Sequence, residues 1–231
     1  MSTISLAPTL HLNGTALIAE PSGALYWPAR ETLVVADLHL EKGSSFARRG
    51  QLLPPYDSRT TLSLIADAIR RRRPARVICL GDSFHDGEAA ARLAPDDADA
   101  IRRLTGSSDW IWIAGNHDPV PPETLGGRVV TDALVDGALI FRHEALARAA
   151  PGEVSGHYHP KAAITQRGRR LSARCFVEDG RRLILPAFGA YTGGLNVLDP
   201  AIAALYPNGF RVHLLGPRKV HGFPRARLLR A

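Results

Sequence analysis

Nine histidines stand in this chain, and six of them (His39, His85, His117, His143, His157 and His159) lie in or beside four short segments rich in metal-donor side chains. The segments are Asp37-Leu38-His39, Gly81-Asp82, Gly115-Asn116-His117-Asp118 and Gly156-His157-Tyr158-His159. Asp, Asn and His supply the oxygen and nitrogen donors of a hydrolytic metal centre. Asp37, Asp82 and Asn116 offer oxygen; His39, His143, His157 and His159 offer nitrogen. These are too many donors for one tetrahedral ion. They suit two divalent cations about 3.5–4 Å apart, bridged by a carboxylate and a hydroxide. Asp37 and His39 are two residues apart, as are His157 and His159. Extended backbone would aim each pair to one side. Gly81, just before Asp82, would let the backbone approach the ions closely.

The elements that must position these donors are legible as apolar runs. Leu33-Val34-Val35-Ala36, Val77-Ile78-Cys79-Leu80 and Ile111-Trp112-Ile113-Ala114 each precede a donor segment and read as strands. Donors at the carboxyl ends of neighbouring strands converge on one crevice. Upstream, 15–19 and 24–27 read as further strands around a Pro21-Ser22-Gly23 turn. Residues 37–55 read as a loop with at most one helical turn. A helix over 57–73 follows from Leu62, Ile65 and Ile69 on one face and Pro74 as its stop. Its closing Arg70, Arg71, Arg72 and Arg73 fit a helix dipole better than a DNA contact. A second helix spans 95–104, with Asp96, Asp97 and Asp99 early and Arg102 and Arg103 late. Strand, helix, strand, helix, strand implies parallel crossovers. After residue 126, segments 128–131, 138–142, 162–166, 171–177 and 181–185 read as hairpin-connected strands, with His143 ending the second. The expected fold is α/β (α+β), two sheets flanked by helices in one domain over 1–215. Residues 216–231 carry Arg218, Lys219, Arg225, Arg227 and Arg230 without an acid and read as a basic, mobile tail.

The ordered set of segments resembles the calcineurin-like metallophosphoesterase superfamily, whose pattern is D-x-H, G-D, G-N-H-D/E, H and G-H-x-H. The resemblance spans residues 37 to 159. It implies a four-layer α/β/β/α sandwich of two mixed sheets with the ions at the strand ends. It further implies that Asp37, His39 and His159 hold one ion, and Asn116, His143 and His157 the other. Asp82 would bridge them. His117 would stabilise or protonate the leaving oxygen, with Asp118 orienting its ring. A metal-bridged hydroxide would attack phosphorus in line. Mn²⁺ is the favoured metal, with Fe, Zn²⁺ or Ni²⁺ as alternatives. Asp-Leu-His-Leu-Glu-Lys-Gly (37–43), Gly-Asp-Ser-Phe-His-Asp (81–86) and Gly-His-Tyr-His-Pro (156–160) further resemble the ligase-associated DNA damage response branch, described as phosphoesterases or endonucleases. That likeness implies a DNA-repair phosphodiesterase working beside DNA ligase and helicase partners. Many superfamily members carry an acid where His85 stands and Gly where Arg142 stands. His85 and Arg142 are therefore candidate substrate contacts; a supporting structural role or an extra metal ligand is the alternative for His85, and a salt bridge to Glu144 or another acid for Arg142. Lys42, just after the first donor pair, is a further candidate phosphate contact, with a solvated loop charge as its alternative.

Other features narrow the class. At 231 residues the chain can bury a real core, and its 45% hydrophobic and 22% charged content is the ordinary globular balance. No run approaches the roughly 18 apolar residues of a membrane span, and no signal peptide is expected. Cys79 and Cys175 read as buried thiols of a cytoplasmic protein. The net charge of +7 favours a polyanionic partner such as DNA, although Arg-rich composition alone would produce it. Ser44 and Ser45 have no base fixed near them, so serine catalysis is not expected. His11, His213 and His221 read as surface or core histidines. Gly189, Gly193 and Gly194 around Tyr191 read as a tight turn at the site rim. A nucleotide or diphosphate-metabolite phosphohydrolase is the enzymatic alternative. A non-catalytic binding scaffold would be expected to have lost ligands, and here every position is filled.

Overall fold

The computed structural model describes residues 8–51, 53–54, 56–120, 123–148 and 150–230. Leu52 and Pro55, inside the loop expected over 37–55, and Ala231 of the expected tail lie outside the described residues.

The first sheet runs in chain order: β1 (Thr9–Leu12), β2 (Thr15–Ala19), β3 (Leu25–Trp27), β4 (Thr32–Val35), β5 (Arg76–Leu80), β6 (Asp109–Ile113) and β7 (Arg128–Val130). The first four strands form an antiparallel meander. From β4 to β7 the pairing is parallel. α1 (Lys42–Arg48) and α2 (Asp57–Arg72) cross over from β4 to β5; α3 (Ala89–Arg92) and α4 (Pro95–Thr105) cross over from β5 to β6. α1 is longer than the single turn read from sequence. Its start is tied down by the Gly43 amide, which donates to the buried Asp57 carboxylate at 3.0 Å.

The second sheet contains β8 (Ala133–Asp136), β9 (Leu139–Arg142), β10 (Glu153–Ser155), β11 (Pro160–Gln166), β12 (Arg169–Glu178), β13 (Arg182–Ile184), β14 (Leu195–Asn196), β15 (Arg211–Leu215), β16 (Val220–Pro224) and β17 (Leu228–Leu229). Its main order is β14-β11-β12-β13-β10-β9-β8, with β9, β10 and β13 parallel and the β11-β12 and β12-β13 pairs antiparallel.

Strand alternation divides the apolar residues between two faces. Leu33, Val35, Val77, Cys79, Trp110 and Trp112 meet Leu62, Ile65 and Ala68 of α2 and Ile101 of α4. Val34, Ala36, Ile78, Leu80, Ile111 and Ile113 meet Phe141, Val154, Phe176 and Leu183 of the second sheet. The outer face of that sheet is covered by α5 (Pro200–Ala203) and its neighbours, through Ile202, Tyr206 and Phe210. The four-layer sandwich expected from the sequence is the observed fold, with a thin fourth layer.

One region differs from expectation. The segment after Gly216 is not a free tail. β16 pairs with β15 along five residues and β17 pairs with β11, because alternating Val220 and the Leu228-Leu229 dipeptide cover sheet edge. The arginine run at the end of α2 faces acids: Arg70 pairs with Asp67, and Arg71 and Arg72 with the buried Glu20.

Candidate metal centre

Each donor segment continues a strand past its last ladder bond. Segments 37–40 and 81–85 run side by side beyond β4 and β5. The Asp37 amide donates to the Gly81 carbonyl at 3.3 Å, His39 to Asp82 at 2.9 Å and Leu40 to Ser83 at 2.9 Å. The backbone there is not extended. Asp37, His39, Asp82, His157 and His159 all have positive φ, between 45° and 70°. Left-handed backbone in such residues is strained and persists only where surroundings fix it. The paired donors converge through these alternating turns, and not through the strand alternation expected from their spacing.

Two glycines make room for the ligands. A Cβ at Gly81, whose φ is +71°, would sit 2.4 Å from Nδ1 of His143. A Cβ at Gly115 would sit 2.2 Å from Oδ1 of Asp82. Gly81 thus admits an imidazole ring to the centre; the close approach is by a side chain, where the sequence suggested the backbone.

The seven sequence-predicted ligands come together. Asp37, His39 and His159 form one group whose donor atoms lie within 4.8 Å of one another, and Asp82, His143 and His157 form a second. Oδ2 of Asp82 is 3.9 Å from Nε2 of His39 and 3.5 Å from Nε2 of His143, so one oxygen reaches both groups. Nε2 atoms of His39 and His159 face each other at 3.1 Å. Oδ1 of Asn116 is 2.9 Å from Nε2 of His143 and 3.0 Å from Nδ1 of His157.

The tautomers test whether cations fit. Nδ1 of His143 lies 2.9 Å from the Leu80 carbonyl, which can only accept, so Nδ1 carries a proton and, in the neutral ring, Nε2 presents a lone pair. A second lone pair, on Oδ1 of Asn116, faces it. Such a pair is repulsive alone and attractive around a cation. A backbone acceptor behind a ligating imidazole is the usual support for a metal-binding histidine. Burial, with His159, His117, His85 and Lys42 adding to it, pushes the pKa of His39 down to about 2. Burial, then the charge of His143, also lowers His157. These rings stay neutral, the state that binds metal.

The remaining site residues divide. His117 is exposed, and its Nδ1 donates to the His85 carbonyl at 2.8 Å. The His85 ring stacks on it, with centroids 5.4 Å apart and planes at 25°. Burial, followed by the charges of His117 and Lys42, lowers the pKa of His85 to about 4. His117 is therefore oriented by His85, not by Asp118. The Asp118 carboxylate is buried and accepts the amides of Ser83 and Phe84 at 2.9 and 3.1 Å, which pins the loop that carries Asp82. Burial raises its pKa to about 7. Lys42 is half-buried, near enough to His39 and His85 to depress both, and its own pKa is lowered by burial. Arg142 turns away from the centre: Nε lies 3.4 Å from the buried Glu153, the ion-pair alternative weighed from sequence. His213 is a core histidine, with Nε2 3.0 Å from Glu178. Sequence reasoning missed the His85 carbonyl as the ring-orienting group, because a backbone acceptor leaves no residue-type signal.

With this geometry established, a family model described as calcineurin-like phosphoesterase matches residues 31–193. The chain belongs to the calcineurin-like phosphoesterase family. The match covers both donor groups and both sheets' central strands. Among solved structures, this phosphoesterase is similar to the Pseudomonas putida nuclease MPE, with 29% identity, a TM-score of 0.73, and coverage of 94% of this chain and 99% of that one. The E. coli phosphoesterase Yfce also matches, at 12% identity and a TM-score of 0.45, over 84% of this chain and 98% of that one. No curated protein matches the sequence. No helix among the described residues is long and apolar enough to cross a membrane.

Proposed function

We propose that this phosphoesterase hydrolyses phosphodiester bonds in DNA at a two-metal centre, with Mn²⁺ as the favoured ion. The single observation that carries the reading is the Asp82 oxygen within 3.9 Å of both imidazole groups. Asp37, His39 and His159 would hold one ion, and Asn116, His143 and His157 the other. When bound, the ions acidify a water and neutralise charge on the phosphoryl oxygens.

The chain's own residues supply the rest. His117 keeps its Nδ1–H bond to the His85 carbonyl in both protonation states. The ring therefore holds its orientation while Nε2 takes up and releases the proton that the leaving oxygen needs. Lys42 and His85 flank that ring and would contact the phosphate. Asp118 fixes the Asp82 loop and so positions the carboxylate that would serve both donor groups.

DNA as substrate is supported by three observations. Asn116 and His117 are exposed, so the centre is open enough for a strand. The net charge is +7. The Pseudomonas putida relative is a nuclease. The unpaired, buried Cys79 and Cys175 fit a cytoplasmic setting. A repair role beside ligase and helicase belongs to the same reading and rests on family resemblance.

The test is a Mn²⁺-supplemented assay against bis(p-nitrophenyl) phosphate, single-stranded DNA and nucleotides, with Asp82→Ala as control. Hydrolysis of the first two, lost in EDTA and restored by Mn²⁺, is expected. Chelator-resistant activity, or activity retained by Asp82→Ala, would refute the two-metal reading. Preference for nucleotides would refute DNA.

A further inference from the structure

The glycine-rich segment from 186 to 194 has no part in the centre described above, yet it is bolted to it. The Phe188 amide donates to the Ala36 carbonyl at 2.8 Å and Gly189 to that of Asp37 at 3.2 Å. Just past its other end, Leu195 donates to the His159 carbonyl at 3.1 Å. Two of these three anchors, Asp37 and His159, belong to the first donor group. Ala190 donates to Oγ1 of Thr61, which brings the segment against α2. Between them opens a cleft of about 180 Å³, lined by Leu64, Arg174, Ala190, Tyr191 and Thr192.

Arg174 is the unusual member. It projects from β12, and its Nη1 donates to the carbonyls of Ala187 at 2.6 Å and Phe188 at 3.4 Å. No carboxylate among the described residues pairs with it. Burial alone lowers its pKa, with no acid opposing the shift. Arg70, Arg71 and Arg72 of α2 face acids instead. A partly desolvated guanidinium without a counter-ion is costly unless an anion arrives, and its planar donors match phosphate oxygens. Tyr191 stands beside it, 48% exposed and at a left-handed φ of 59°. Its ring meets no other aromatic ring among the described residues. An exposed ring next to an unpaired cation is how strand-binding proteins hold a base and its phosphate.

We infer that this cleft is a subsite for a nucleotide flanking the scissile phosphodiester of a single strand, with Arg174 on its phosphate and Tyr191 stacked on its base. The inference rests on the DNA reading above and adds where the strand lies.

The test is binding of a fluorescein-labelled oligothymidylate to the full chain in EDTA, read by anisotropy, beside an abasic strand of equal length. Arg174→Gln should weaken both strands about tenfold, and Arg174→Lys should recover part of the loss. Tyr191→Ala, on the exposed rim, should weaken only the base-bearing strand, by about tenfold. That arm stands even if Arg174→Gln fails to fold. Unchanged dissociation constants in a folded Arg174→Gln and in Tyr191→Ala would overturn the inference. So would thymidine monophosphate that competes as well as the strand, since the cleft would then serve a mononucleotide. A native chain that binds strands with this sensitivity but does not cut them supports the subsite and refutes DNA cleavage. A chain that hydrolyses bis(p-nitrophenyl) phosphate without binding strands overturns the subsite and leaves the phosphoesterase standing.

Discussion

At the scale of single residues, His117 and Asp118 are neighbours with different work. His117 is exposed and held by a backbone carbonyl; Asp118 is buried and holds backbone amides. His117→Ala should lower kcat by about 10²–10⁴-fold, the usual worth of a general acid. Its metal content, read by elemental analysis, should match the native protein; retention of full hydrolysis would remove His117 from the mechanism. Asp118→Ala should instead destabilise the fold by about 2–4 kcal/mol, since the Ser83 and Phe84 amides would be buried without acceptors. Urea unfolding measures that loss, and an unchanged midpoint would show that the loop is held by other means. Cys79 and Cys175 are fully buried, and burial raises both thiol pKa values. Neither should react with Ellman's reagent in the native protein, and both should react in denaturant.

Elements decide how those residues meet. Gly81 lies where the chain leaves β5, and its missing Cβ is the space that the His143 ring occupies. Gly81→Ala should lower metal affinity about 10–100-fold by displacing the His143 ring, as the loss of a ligand's support does elsewhere. Isothermal titration with Mn²⁺ reads this, and native-like affinity would mean that His143 can shift without cost. The carboxyl-terminal strands make a second case. Truncation at Gly216 removes β16 from β15 and β17 from β11, baring edges that now pair. The truncated chain should melt well below the native protein or aggregate, because an uncovered edge is a pairing hazard. A truncated chain with the native melting temperature would return this segment to the status of a tail.

Across the whole molecule, the two sheets pack with Val34, Ala36, Ile78 and Leu80 against Phe141 and Val154, and the donors emerge at one rim of that interface. The rim brings Asp37 and Asp82 from the first sheet to His143, His157 and His159 from the second. The charge of the chain also belongs to this scale. Much of it is paired locally, as at Arg76, which lies 2.8 Å from both Asp109 and Asp136. DNA affinity should therefore fall with added salt by the number of phosphates met at the rim, not by the full net charge. A logarithmic salt slope near zero would refute an electrostatic DNA interface.

The amino-acid sequence by itself supplied the candidate donor set, the parallel half of the first sheet, the apolar face of α2 and the span of α4. Those rest on residue type and on periodicities of two and 3.6 residues, which are local. It left β1, β8, β10, β14, β15, β16 and β17 unread: β10, β14, β15 and β17 pair with strands far along the chain, whereas β1, β8 and β16 are short hairpin partners of their neighbours. Only the tertiary structure decided that Asp37, His39, Asp82, His157 and His159 take left-handed backbone, since that conformation is intrinsically disfavoured and is imposed by the contacts around it. Only it showed that Arg142 turns to Glu153 and that His85 holds His117 through a carbonyl, a group every residue carries and no sequence motif marks.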